Sequence, residues 1–84
     1  MPVAQEKKLR WLDSAFRDLL DFPADARREA GFQLRKLQAG LDPNDWKSFD
    51  DGGAGTREIR IKESGGAYRV MYVAKFEEAV YVLH

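Results

Sequence analysis

The stretch REIRIKESGGAYRVMYV, residues 57–73, has basic side chains at a spacing that suits the binding of an anion. It reads as two short strands joined by a glycine-containing turn, and the register that best groups the apolar residues sets Arg60 opposite Arg69. Like charges directly across a strand pair destabilise a sheet. A phosphate between the two guanidinium groups would relieve this repulsion through charge-assisted hydrogen bonds. A solvated charged face is the alternative, and the pattern alone leaves both open.

The predicted register depends on a four-residue loop, residues 63–66, between the two strands. With this loop, Lys62 faces Ala67 and Glu58 faces Met71 on the same side as the arginine pair. A five-residue loop would mix apolar and charged residues on both sides, so we prefer the shorter one. The opposite side of the hairpin then suits cover by helices, because it collects Ile59, Ile61, Tyr68, Val70 and Tyr72.

A third strand, AVYVLH at 79–84, extends the basic row if it follows the four-residue link KFEE. This register places Tyr81 opposite Tyr72 and His84 beside Arg69. His84 is the only histidine, and an imidazole that titrates near neutral pH can act as a general acid or base; an inert terminal histidine is the alternative. The same register predicts an apolar strip on the side away from the helices, formed by Met71, Val73, Val80 and Val82.

The elements that must position these side chains follow from periodicity. The chain is predicted to contain a strand at 7–12, helices at 14–22 and 23–40, a loop at 41–55, and strands at 56–62, 67–74 and 79–84. This β-α-α-β-β-β order predicts an α+β fold, in which two N-terminal helices pack on a mostly antiparallel four-stranded sheet.

Length and composition limit the function classes. A chain of 84 residues predicts a single domain, residues 1–84. It has no cysteine, which excludes disulfides and thiolate metal sites, and no apolar run long enough to span a membrane, so we expect a soluble cytoplasmic protein. The 14 basic and 14 acidic residues cancel, so any anion-binding surface must come from local segregation of charge.

Two long segments together resemble a known family. FPADARREAGFQLRKLQAGLDPNDWKSF and GTREIRIKESGGAYRVMYVAKFEEAVYVLH, with the strand–helix–helix order, resemble the RelE/ParE toxin superfamily. The pattern G-x-R-E-I-R, followed by A-Y-R-V-M-Y-V-A and V-Y-V-L-H, is similar to the phage-derived, HigB-like branch of type II toxin–antitoxin systems. The resemblance covers nearly the whole chain and implies a RelE-like, microbial-ribonuclease-like fold.

The resemblance implies a ribosome-dependent mRNA endonuclease, or mRNA interferase, that inhibits translation and is neutralised by a cognate antitoxin of the helix-turn-helix type. No metal or cofactor is expected. In such enzymes a 2′-hydroxyl attacks the adjacent phosphate, and basic side chains stabilise the charge that develops on it. The implied catalytic residues are Arg60, Arg69 and His84, and the implied substrate-binding residues are Lys62, Arg57 and Glu58.

Glu58 has two possible roles, as the general base for the 2′-hydroxyl or as the carboxylate that orients Arg60 or Arg69. The apolar strip, Met71, Val73, Val80 and Val82, is the predicted antitoxin-binding surface.

Two other functions stay open at this point. The chain is alternatively a non-catalytic, ParE-like inhibitor of DNA gyrase, although the basic residues of REIRIK and AYR argue against this class. It is otherwise an inactive truncated form that only binds antitoxin, because relatives continue past VLH with a basic stretch and a last helix, whereas this sequence stops at His84. We therefore expect that C-terminal segment to be absent and endonuclease activity to belong to the full-length form.

Overall fold

The computed structural model describes residues 6–49, 55–63 and 65–83 and confirms the predicted α+β class. Two helices pack on one five-stranded, mostly antiparallel sheet with the strand order β1-β5-β4-β3-β2. The elements are β1 (Lys8–Trp11), α1 (Ala15–Leu20), α2 (Ala24–Gln38), β2 (Trp46–Ser48), β3 (Thr56–Glu63), β4 (Gly66–Val73) and β5 (Ala79–Val82).

The sheet has one strand more than the sequence predicts. Strand β2 lies within the segment 41–55 that is predicted as a loop, and it pairs antiparallel with β3 through Trp46 opposite Ile59 and Lys47 opposite Glu58. The indole of Trp46 lies 4.1 Å from the guanidinium carbon of Arg57, which holds this strand on its neighbour. Three residues are too few to show a period of two, so the sequence pattern does not reveal β2.

Helix α2 supplies most of the helical side of the core. Its buried residues recur at helical spacing and are Ala26, Ala30, Gln33, Leu34 and Leu37. After the helix, Gly40 has a φ of 83°, the left-handed conformation that commonly follows a helix end and that glycine adopts without strain. The apolar residues of this helix face, Ala26, Ala30, Leu34 and Leu37, cover the inner residues of β3 and β4, among them Ile59, Ile61, Val70 and Tyr72.

The register of the β3–β4 hairpin is confirmed. Arg60 lies opposite Arg69, Lys62 opposite Ala67 and Glu58 opposite Met71. Pairing continues to Glu63 opposite Gly66, so the turn is tighter than the predicted four-residue loop, but the alignment of the two strands is the same.

The predicted register of β4 with β5 is wrong by one residue. Tyr72 lies opposite Val82, and Val73 lies opposite Tyr81. The shift moves Val80 and Val82 to the helix-covered side, where both are fully buried, and it moves Tyr81 to the other side. The cause is the edge strand: β1 runs parallel to β5, with Leu9 and Trp11 beside these valines, so the valines belong to the core.

Candidate functional site

The side of the sheet away from α1 and α2 carries exposed cations from four strands. The alternation of each strand and the observed pairing place them there, so charge is segregated although the chain is neutral overall. Glu58 is the one carboxylate that the described strands add to this side. We call this side of the sheet the basic face. Its cations are Lys8, Arg10, Lys47, Arg60, Lys62 and Arg69.

The predicted arginine pair lies on this face together with a buried counter-charge. The Nε of Arg69 is 3.2 Å from Oε2 of Glu58, whose side chain is 2 % exposed, and the ammonium of Lys47 is 3.9 Å from Oε1. A buried carboxylate is costly unless it is paired, and two cations pair this one. The repulsion between Arg60 and Arg69 is therefore reduced by Glu58, and the fold does not require a bound phosphate for this purpose.

The arginine pair nevertheless keeps donors free for a ligand. Glu58 engages Arg69 through Nε, and the side chain of Arg69 is 66 % exposed. Within residues 6–49, 55–63 and 65–83, the terminal nitrogens of Arg69 form no ion pair, and neither do Arg60 and Lys62. Planar guanidinium forks bind phosphate oxygens in pairs, so this part of the basic face can hold a phosphodiester.

Arg69 also borders a second feature, a largely apolar cavity of about 190 Å³ between α1 and β4. Its walls include Trp11, Leu19, Phe22 and Val70. Arg69 is thus accessible both from the basic face and from an apolar recess at the end of β5.

Arg57 is separated from the other predicted substrate-binding residues. Alternation along β3 places it on the helix-covered side, where it stacks on Trp46 and lies 3.7 Å from the carboxylate of Asp42. It also neighbours the buried hydroxyl of Tyr72, which makes no hydrogen bond to the residues that the structure describes. Burial raises the pKa of Tyr72, and the nearby positive charge of Arg57 offsets part of this rise. These contacts pack Arg57 against side chains of the protein itself, on the side of the sheet opposite the basic face.

The predicted apolar strip does not exist as one surface. Met71 and Val73 are half-buried on the basic face, whereas Val80 and Val82 are 0 % and 1 % exposed in the core on the opposite side. The prediction fails because it rests on the incorrect register of β5. His84 lies outside the described residues, and its predicted placement beside Arg69 used the same incorrect register.

Sequence reasoning missed three cations of the basic face. Lys47 lies on the unpredicted strand β2, and Lys8 and Arg10 lie on β1, whose alternation is clear but whose parallel pairing with β5 is not. A signal was present for β1, because Leu9 and Trp11 must face the core and therefore turn the two basic residues away from it.

Among the described residues, no three histidine, cysteine or acidic side chains are grouped so that they could hold a metal ion. No helix in the described part of the chain is long and apolar enough to cross a membrane.

The comparisons with known proteins give one finding. The family described as Phage derived protein Gp49-like (DUF891) matches residues 17–84, which include both helices and the whole β3–β4 hairpin. No curated protein and no solved structure matches the chain.

Proposed function

The chain belongs to the phage-derived Gp49-like family, which is associated with the toxins of toxin–antitoxin systems, and from this we propose that it is a ribosome-dependent mRNA endonuclease. Its partners are then the ribosome, messenger RNA and a protein antitoxin, and it acts in the cytoplasm, where translation takes place. The resemblance to RelE- and HigB-like toxins supports this assignment.

The observation that carries the proposal is the pair of arginines on the basic face. Arg60 and Arg69 lie opposite each other, and the exposed Arg69 keeps its terminal nitrogens free of ion pairs within the described residues. Cationic donors stabilise the negative charge that develops on a phosphate under attack, and Arg69, which Glu58 holds through Nε, needs little reorganisation to do so.

The proposed reaction is the one that the resemblance to RelE- and HigB-like toxins implies. The 2′-oxygen of one nucleotide forms a bond to the adjacent phosphorus, and the bond from phosphorus to the 5′-oxygen of the next nucleotide breaks. A general base accepts the proton of the 2′-hydroxyl, and a general acid gives a proton to the leaving 5′-oxygen. The products are a 2′,3′-cyclic phosphate and a free 5′-hydroxyl. His84 remains our predicted acid or base.

In this proposal Glu58 is a positioning residue for Arg69. Its carboxylate is buried and lies between two cations, Arg69 and Lys47, so it is engaged by the protein's own side chains. Through its ion pair with Nε of Arg69, it positions the guanidinium and leaves the terminal nitrogens for RNA.

The experiment compares wild-type protein with Arg69→Ala in a reconstituted translation reaction, with mRNA cleavage mapped by primer extension on programmed ribosomes. We expect Arg69→Ala to lower the cleavage rate at least about 100-fold, the usual effect of losing one donor to a developing oxyanion. Arg28→Ala is the matched control, because Arg28 is an exposed arginine on α2 and its loss changes the net charge equally.

Equal cleavage by Arg69→Ala and wild type would contradict the assigned site. DNA damage on expression, without mRNA cleavage, would instead identify a gyrase inhibitor. Binding of the antitoxin without either activity would identify an inactive form.

A further inference from the structure

The basic face continues past the arginine pair to the edge strand β1. In the parallel pairing of β1 with β5, Arg10 lies beside Tyr81, and Tyr81 lies opposite Val73 of β4. Arg10 is exposed and Tyr81 is half-buried. The sequence places neither residue at a site, because the predicted register put Tyr81 in the core.

Tyr81 belongs to a small cluster of rings and cations. Its ring contacts Phe76 edge to face, with centroids 5.6 Å apart and planes at 84°. Phe76 is 40 % exposed, and the ammonium of Lys75 is 5.4 Å from its centroid. A partly exposed aromatic pair between cations is the combination with which proteins stack unpaired bases and hold their phosphates.

An apolar floor connects this cluster to the arginine pair. The half-buried side chains of Met71, Val73 and Leu83 lie between them on the basic face, and Glu58 there is already paired. The distance across the basic face from Arg60 to Arg10 is roughly 20 Å, because it spans three strand spacings and about four residues along the strands. Several nucleotides are needed to cover that distance. Glu77 and Glu78 are exposed just before β5, next to Lys8, and their negative charge bounds the anion-binding surface on that side.

We propose that Arg10, Phe76 and Tyr81 form an accessory binding site for single-stranded RNA, with a base stacked on Tyr81 and its phosphate paired with Arg10. The occupant follows from charge complementarity, because the six cations of the basic face are exposed and the one carboxylate that the described strands add to it is buried and paired. The site rests on the proposed function, since it holds a neighbouring part of the RNA that is cleaved at Arg60 and Arg69.

The test measures binding of a fluorescent 12-nucleotide uridine RNA by anisotropy at several salt concentrations, without ribosomes. We expect Tyr81→Leu to raise the Kd at least about fivefold, with the salt dependence of wild type, because stacking is lost and no charge changes. Tyr81→Phe keeps the ring and should bind like wild type. Arg10→Ala should weaken binding and reduce the slope of log K against log salt by about 0.7.

Arg28→Ala, the same charge change on the far side of the molecule, should leave both Kd and slope unchanged, and thermal melting of each variant establishes that it is folded. The accessory site is overturned if wild type does not bind the RNA at low salt, or if Tyr81→Leu and Arg10→Ala bind within twofold of wild type. It is also overturned if these variants lose binding to a poly-glutamate peptide but keep RNA binding, because the surface then serves an acidic protein segment.

The two hypotheses fail separately. If wild type cleaves mRNA on ribosomes but Arg10→Ala and Tyr81→Leu bind RNA as wild type does, the accessory site is wrong and the endonuclease proposal stands. If RNA binding depends on Arg10 and Tyr81 but wild type does not cleave mRNA, the accessory site stands and the endonuclease proposal is wrong.

Discussion

Glu58 is the residue whose negative charge reduces the repulsion between Arg60 and Arg69, which face each other in the sheet. It is 1 % exposed, although it lies on the side of the sheet without helices, and its contacts with Arg69 and Lys47 supply the compensation that a buried charge requires. Arg69 is therefore part of a charge network of the folded protein, and the proposed function uses this arrangement to bind a phosphate.

The network predicts the outcome of a double-mutant cycle. Glu58→Gln should lower the free energy of unfolding by about 1–3 kcal/mol, because a buried side chain loses its charged pairing with Arg69 and Lys47. Urea denaturation of Glu58→Gln, Arg69→Ala and the double variant should give a coupling of at least about 0.5 kcal/mol. Lys47→Ala is the control, since its more distant and exposed ion pair should contribute less than about 1 kcal/mol. Additive effects at Glu58 and Arg69 would contradict the network.

At the scale of elements, the β4–β5 register decides which surface the protein presents. The segment AVYVLH is apolar at almost every position, so alternation cannot distinguish the two registers. The edge strand β1 resolves this ambiguity, because Leu9 and Trp11 bring their apolar side to Val80 and Val82. As a result Tyr81 lies on the basic face, and the surface proposed from sequence for an antitoxin is divided between the core and that face.

This register predicts unequal costs for two valine substitutions. Val82→Ala should lower the free energy of unfolding by about 2 kcal/mol, because it removes methyl groups from a site that is 1 % exposed. Val73→Ala, at a half-buried position on the basic face, should cost less than about 1 kcal/mol. Urea denaturation midpoints measure both, and a larger loss at Val73 than at Val82 would contradict the observed register.

For the whole molecule, the distribution of charge matters more than its sum. The net charge is zero, yet six cations share one side of the sheet. A neutral protein of this kind avoids strong self-repulsion while one side attracts a polyanion. The helices and loops carry the balancing acidic residues, among them Asp18, Asp25 and Glu29.

The number of these cations sets an upper limit on the salt dependence of RNA binding. Each phosphate contact with a single strand contributes about −0.7 to the slope of log K against log salt, so six contacts allow a slope no steeper than about −4. Titrations of wild type with the 12-nucleotide RNA between low and physiological salt measure it. A slope near zero would show that the basic face does not bind the RNA backbone.

The sequence by itself determined the α+β class, the long helix and the β3–β4 hairpin, with Arg60 opposite Arg69. These features depend on contacts between near neighbours in the chain, and in them charged and apolar residues alternate clearly. The tertiary structure alone decided the parallel pairing of β1 with β5, the short strand β2, the register of β5 and the burial of Glu58. The pairing of β1 and the register of β5 depend on residues far apart in sequence, and local periodicity cannot show which distant strands become neighbours. Strand β2 is too short to show a period, and the burial of Glu58 depends on its ion pairs with Arg69 and with Lys47 of that strand.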